Sequence, residues 1–79
     1  MFTLMDGERS IVLTPIECIA VEDAIYRSQR RWELAMLGDI LYMYAKDYGF
    51  STTPTNKSLI VHEWQLDWVK EAMATIKPS

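Results

Sequence analysis

The sequence has few of the residues from which catalytic and metal sites are built: its 79 residues include one cysteine, one histidine and three glycines. A single cysteine, Cys18, cannot form a disulfide within the chain, which favours a reducing compartment. Cys18 and His62 are too few for a zinc site, and no metal or cofactor is expected. Gly7, Gly38 and Gly49 are isolated from one another, so they do not form the glycine-rich loop that binds phosphate.

Groups suited to covalent or acid–base catalysis are also scarce. Cys18 and His62 are the one Cys–His pair, but Cys18 falls on a predicted buried helix face, where a thiol behaves as a small apolar group. The neighbouring acids Glu22 and Asp23 are typical of a solvated helix surface rather than of a carboxylate pair in a cleft. We therefore expect a protein that is not an enzyme.

The chain has neither an excess of positive charge nor a long apolar run. Its formal net charge is −3, whereas proteins that bind nucleic acid nonspecifically usually carry a basic excess. The most apolar stretch, LAMLGDILYMYA, is interrupted by Asp39 and is shorter than the roughly 20 apolar residues that a transmembrane helix needs. The sequence therefore predicts a soluble, cytoplasmic protein without membrane contact, and it does not favour a nucleic-acid partner.

What the chain does have is apolar and aromatic content. Hydrophobic residues make up 49% of it, and they include three tryptophans, four tyrosines and five methionines. This composition is typical of a folded globular domain, and the length indicates a single domain over residues 1–79. We predict an α+β fold in which an N-terminal β-hairpin, about residues 1–13, packs on three α-helices, about residues 15–28, 30–48 and 59–76.

The hairpin is predicted from a turn signal between two apolar segments. Asp6 and Gly7 are the residues preferred at the two central positions of a type I′ turn, where both need a positive φ. A two-residue loop at these positions places Leu4 opposite Arg9 and Phe2 opposite Ile11. Phe2 and Leu4 then share one face of the hairpin with Ile11 and Arg9.

Local signals also mark where the helices begin and end. Thr14, Pro15 and Glu17 form the pattern of an N-cap, a first-turn proline and a capping box, so the first helix is predicted to start there. Gly49 is suited to the position just after a helix, where φ turns positive, and is predicted to end the second helix.

Residues 15–48 could instead form one long helix. The apolar stripe of the first half consists of Cys18, Val21, Ala24 and Ile25, with Ile19 and Tyr26 beside it. The stripe of the second half consists of Leu34, Leu37, Leu41, Tyr44 and Tyr48, with Ala45 alongside. The two stripes differ by about 140° in direction, so a straight helix would turn them toward different surfaces. A break near Ser28 lets both face one core and is favoured.

The third helix is predicted to carry on its apolar side Val61, Gln65, Trp68, Val69, Ala72, Met73 and Ile76. It has a competing interpretation too, in which KSLIV forms a third strand and the helix begins near His62.

The segment RSQRRWE, residues 27–33, concentrates three of the arginines next to a tryptophan. Arg27 after Asp23 and Arg30 before Glu33 have the spacing of ordinary ion pairs on a helix surface, which accounts for much of the cluster. Trp32 lies off the main apolar stripe of its helix, in line with two methionines, and forms a second apolar line there. Because Trp and Arg dominate binding hot spots, we predict a partner-binding surface. Its predicted residues are Arg27, Arg30, Arg31, Trp32, Met36, Met43 and Trp64.

Three functions remain open on this basis. The first is a small non-enzymatic protein-binding module that binds another protein, with formation of a homodimer as a further expectation. In size and style alone, the chain resembles accessory proteins of phages and mobile elements that inhibit host machinery. The alternatives are a nucleic-acid-binding regulator that uses Arg27, Arg30 and Arg31, or a binder of a small anionic ligand such as a nucleotide at a dimer interface.

Overall fold

The computed structural model describes residues 1–50 and 56–76, and for residues 48–50 it describes the backbone alone. It has an α+β fold, as predicted, in which strands and helices follow in the order β1 (Phe2–Asp6), β2 (Arg9–Leu13), α1 (Pro15–Arg27), α2 (Arg31–Phe50), β3 (Lys57–Ile60) and α3 (Glu63–Ile76). The strands form one sheet in the order β2-β1-β3. No helix within the described residues is both long and apolar enough to cross a membrane.

Strands β1 and β2 form the predicted hairpin, but the predicted register is wrong by two residues. Leu4 pairs with Ile11, and Phe2 pairs with Leu13. The reason lies in the turn: Asp6 belongs to β1, Gly7 has a φ of 60°, and no other described residue has a positive φ. This φ pattern is that of a type II′ turn with glycine at its first central position. Because a shift of two residues preserves the alternation of faces, the prediction that Phe2 and Leu4 share one face with Ile11 and Arg9 is nevertheless confirmed.

Residues 57–60 form a strand, which confirms the competing interpretation of KSLIV, so the favoured prediction of a helix over residues 59–76 starts too early. Strand β3 pairs in parallel with β1 and places Leu59 beside Leu4. The helix begins at Glu63 because His62 acts as its N-cap residue: the His62 carbonyl accepts the backbone N–H groups of Gln65 and Leu66, at 3.0 and 3.1 Å. The His62 N–H donates to the side chain of Gln65 at 2.9 Å, as in one half of a capping box.

The predicted break between α1 and α2 is confirmed. The capping box is present at the start of α1, where the Thr14 hydroxyl accepts the Glu17 N–H at 3.1 Å and Glu17 accepts the Thr14 N–H at 2.9 Å. At its end, the Ser28 hydroxyl donates to the Ile25 carbonyl at 2.9 Å and accepts the Arg30 N–H at 3.2 Å. Helix α2 continues to Phe50, so Gly49 lies inside it and the predicted helix end at Gly49 is wrong.

One core lies between the inner face of the sheet and the helices. Phe2 and Tyr44 meet there edge to face, with their ring centroids 5.0 Å apart. Leu66 is completely buried, although the predicted apolar face of α3 did not include it. From α2, the core contains the predicted stripe Leu34, Leu37, Leu41 and Tyr44, together with Ala45. Tyr48, which was also assigned to this stripe, lies outside the described side chains.

Candidate protein-binding surface

Helix α2 has apolar residues on two opposite sides. One side carries the buried leucines of the core. On the other side, Trp32, Met36 and Met43 have 81%, 79% and 61% of their surface exposed. At 100° per residue these three side chains point about 140° away from the core stripe. We call them the outer α2 face, and within the described chain nothing covers it.

A groove of about 260 Å³ lies beside this face, between α1 and α2. Its lining is mostly apolar and aromatic: Ile25, Tyr26, Arg31, Trp32, Ala35, Gly38 and Asp39. Gly38 forms part of it because it has no side chain. A Cβ at that position would lie 3.5 Å from the Ile25 side chain, which is ordinary contact distance. A side chain at this position would therefore be in van der Waals contact with α1.

The arginines of RSQRRWE are in two different electrostatic situations. Arg27 pairs with Asp23 at 3.2 Å, and Arg30 pairs with Glu33 at 3.0 Å, as the helical spacing predicted. The hydrogen bond from Arg30 also lowers the pKa of Glu33 below its ordinary value. Arg31 has no carboxylate within 4.0 Å among residues 1–50 and 56–76, and its guanidinium carbon lies 5.5 Å from the centroid of the Trp32 ring. Arg31 is therefore the arginine of this segment with charge to offer a partner.

Acidic side chains lie farther along the groove. Burial raises the pKa of Glu22, and the nearby charges of Asp23 and Asp39 raise it further. Asp39 follows Arg31 by eight residues, or about 12 Å along a helix axis. The groove thus has a positive residue toward one end and a negative residue toward the other.

Trp64 is placed differently from the other predicted site residues. It is half-buried and packs against the core, and the Arg30 guanidinium lies over its ring at 4.0 Å from the centroid. Its aromatic face is therefore used largely within the chain. The structure places Trp32, Met36 and Met43 on one side of α2, and Arg31 lies beside the Trp32 ring on the groove side. Trp64 instead belongs to a contact between α3 and the segment before α2.

Sequence reasoning missed three groove residues: Tyr26, Ala35 and Asp39. Tyr26 was noted only as a neighbour of the α1 stripe, and it is 62% exposed. Tyr26 lines the groove because of the way α1 packs on α2. The sequence does not specify this packing. Ala35 and Asp39 are separated by four residues on α2, and this spacing could have placed them on one side of the helix.

The side chains that could carry chemistry are not assembled into a site in the part of the chain that is described. Cys18 is completely buried, and this burial, with the nearby charge of Glu17, raises its pKa to about 11. No group of three or more His, Cys, Asp or Glu residues that could hold a metal ion occurs among residues 1–50 and 56–76.

Comparisons of the chain with protein-family models, with curated proteins and with solved structures gave no match. The candidate site is therefore defined by its own geometry: an exposed apolar helix face beside a groove with oppositely charged residues along it.

Proposed function

We propose that this chain is a small non-enzymatic protein-binding module that binds another protein through the outer α2 face. The observation that carries the proposal is the exposure of Trp32, Met36 and Met43 on the side of α2 opposite its core stripe. Exposing such residues to water is unfavourable, and apolar patches of this kind mark interaction sites in folded proteins.

The residue types also suit binding. Tryptophan is enriched among the residues that contribute most to interfaces, and methionine adapts to irregular partner surfaces because its side chain is flexible and polarisable. Arg31 at the margin of the face adds a cation that can pair with a partner carboxylate. Together these side chains form an apolar centre with a charged margin, which is the usual arrangement of an interface.

A module of this kind acts by occupying a surface of its partner. We propose an accessory role of that sort in the cytoplasm, as an inhibitor of the type encoded by phages and mobile elements. The buried, unpaired thiol of Cys18 is compatible with a reducing compartment.

The test compares capture of partners from an extract of the source cells by three tagged forms of the chain. The wild-type chain should retain a specific protein, and the double variant Met36→Ala with Met43→Ala should lose it. Ile60→Ala is the matched control, because Ile60 is 79% exposed but lies on the outer face of the sheet. Retention of the partner by the methionine variant, or equal loss with Ile60→Ala, would refute the assignment to the outer α2 face.

A further inference from the structure

We propose that the groove side of α2 binds a second copy of this chain, so that the protein forms a twofold-symmetric dimer through Arg31, Ala35 and Asp39. The inference rests on the proposed function in one respect, that α2 presents a protein interface. It adds the identity of one partner and the contacts that would select it.

The charged residues of α2 are arranged symmetrically about Ala35. Arg31 and Asp39 lie four residues before and four residues after Ala35, so the three form one i, i+4, i+8 ridge. In a twofold-symmetric contact, a residue on one side of the axis meets the residue at the equivalent distance on the other side. An axis at Ala35 therefore places Arg31 of each copy beside Asp39 of the other. The same ion pair forms twice.

Arg31 and Asp39 are both accessible to a partner. Arg31 and Asp39 are exposed, and no ion pair within 4.0 Å engages either of them among the described residues. Arg27 and Arg30, by contrast, are already paired with acids of their own helices. Both charges of this ridge can therefore form ion pairs with a partner.

The small side chain at the centre of the ridge favours a close contact between the two helices. Ala35 at the centre is small, which allows two helix backbones to approach closely. Trp32 lies beside the ridge, about 60° around the helix from Ala35, so its exposed indole is at the margin of this contact. Packing of i±4 ridges side by side is also the commonest geometry between helices in globular proteins.

This dimer leaves room for another protein. Met36 and Met43 lie about 80–100° around the helix from Ala35, to the side of the contact. The methionine part of the outer α2 face therefore stays accessible in the dimer, and loss of one interaction can be distinguished from loss of the other.

The experiment measures the dimer dissociation constant by sedimentation equilibrium for the wild-type chain, Arg31→Glu, Asp39→Arg and an equimolar mixture of the two variants. Wild type should associate as its concentration rises. Each variant alone should dissociate about tenfold more readily or worse, because like charges now meet at both ends of the interface. The mixture should recover association, because each introduced charge then faces an opposite charge across the heterodimer.

Lys70→Glu serves as the control, since it reverses one exposed charge on α3, away from the groove, and should leave the dissociation constant unchanged. Circular dichroism confirms that every variant is folded. A wild-type chain that stays monomeric to near-millimolar concentration, single variants that associate normally, or a mixture that fails to recover would each overturn the proposal. None of these results would alter the outcome of the Met36 and Met43 capture experiment.

Discussion

The guanidinium of Arg30 lies over the indole of Trp64, with its central carbon 4.0 Å from the ring centroid, and the same side chain pairs with Glu33. One arginine thus joins the start of α2 to α3 by a cation–π contact and an ion pair. This relationship shows that part of the basic segment stabilises the fold. It leaves Arg31 as the arginine of RSQRRWE without a carboxylate within 4.0 Å in the described chain, next to the exposed Trp32.

The state of these arginines predicts weak or no binding to nucleic acid. Two of the three are neutralised by Asp23 and Glu33, and the net charge of the chain is −3. At about 100 mM salt, mixed duplex and single-stranded DNA should show no complex at micromolar protein in an electrophoretic or fluorescence assay. A salt-sensitive complex that disappears in the double variant Arg30→Ala with Arg31→Ala would favour the regulator hypothesis instead.

Replacement of Trp32 by alanine should leave the fold intact and remove binding. Trp32 is 81% exposed, so the free energy of unfolding should change by no more than about 0.5 kcal/mol, as for other surface substitutions. Thermal melting followed by circular dichroism measures this change. Binding to a partner protein should weaken by about 2 kcal/mol or more, measured by calorimetry or by dimer dissociation.

Leu34 provides the matched comparison for Trp32, because it lies two residues away on the same helix and is completely buried. Leu34→Ala should cost about 2–5 kcal/mol through lost packing and a new cavity, enough to unfold much of a small domain. If Trp32→Ala lost as much stability as Leu34→Ala, the indole would be part of the core. That result would refute the assignment of Trp32 to an interface.

Cys18 should react slowly with thiol reagents in the folded protein. Its side chain is fully buried and its pKa is about 11, so both access and the fraction of thiolate are low at neutral pH. Labelling with a chromogenic disulfide reagent should be slow in buffer and fast in denaturant. Fast labelling of the native chain would show an accessible thiol and reopen a catalytic role.

The same thiol predicts a loss of stability at alkaline pH. The pKa of Cys18 is about 11 in the folded chain and 9.0 for an unperturbed thiol, so between these values the unfolded chain has lost the proton and the folded chain retains it. The free energy of unfolding should therefore fall as the pH rises through this window, by an amount on the order of 2 kcal/mol. Urea denaturation at several pH values measures the slope. The variant Cys18→Ala keeps every other titrating group, so its free energy of unfolding should fall less steeply with pH. Equal slopes for the two chains would contradict the pKa assigned to Cys18.

Much of the fold could be predicted because its signals are local. Thr14, Pro15 and Glu17 mark the start of α1 through bonds made within one turn, and no distant contact is needed to interpret them. The break at Ser28 was visible because the two apolar stripes could face one core only after a change of direction. Trp32 was identified as surplus to the core for a similar reason, since the leucines of α2 already supplied one buried face.

The errors arose where a distant contact decides the structure. Leu59 and Val61 fit a helical pattern as well as a strand, and it is the pairing of β3 with β1 that selects the strand. Including Val61 in the helix displaced the predicted apolar face of α3, and Leu66 was missed as a result. The groove is also the product of packing between α1 and α2, so Tyr26 could not be placed there from its sequence neighbours.

The parallel pairing of β1 with β3 has a consequence for synthesis on the ribosome. Strand β1 lies at the centre of the sheet, and its partner β2 leaves the exit tunnel directly after it. Its other edge pairs with residues 55 positions later, as Phe2 does with Lys57. Both of the first two helices must therefore emerge while one edge of the central strand is still unpaired, and such an edge can bind other chains. Sheet completion depends on this long-range pairing, which is slow because a long loop must close first. The nascent chain should therefore remain sensitive to proteolysis until β3 has been released and has paired with β1.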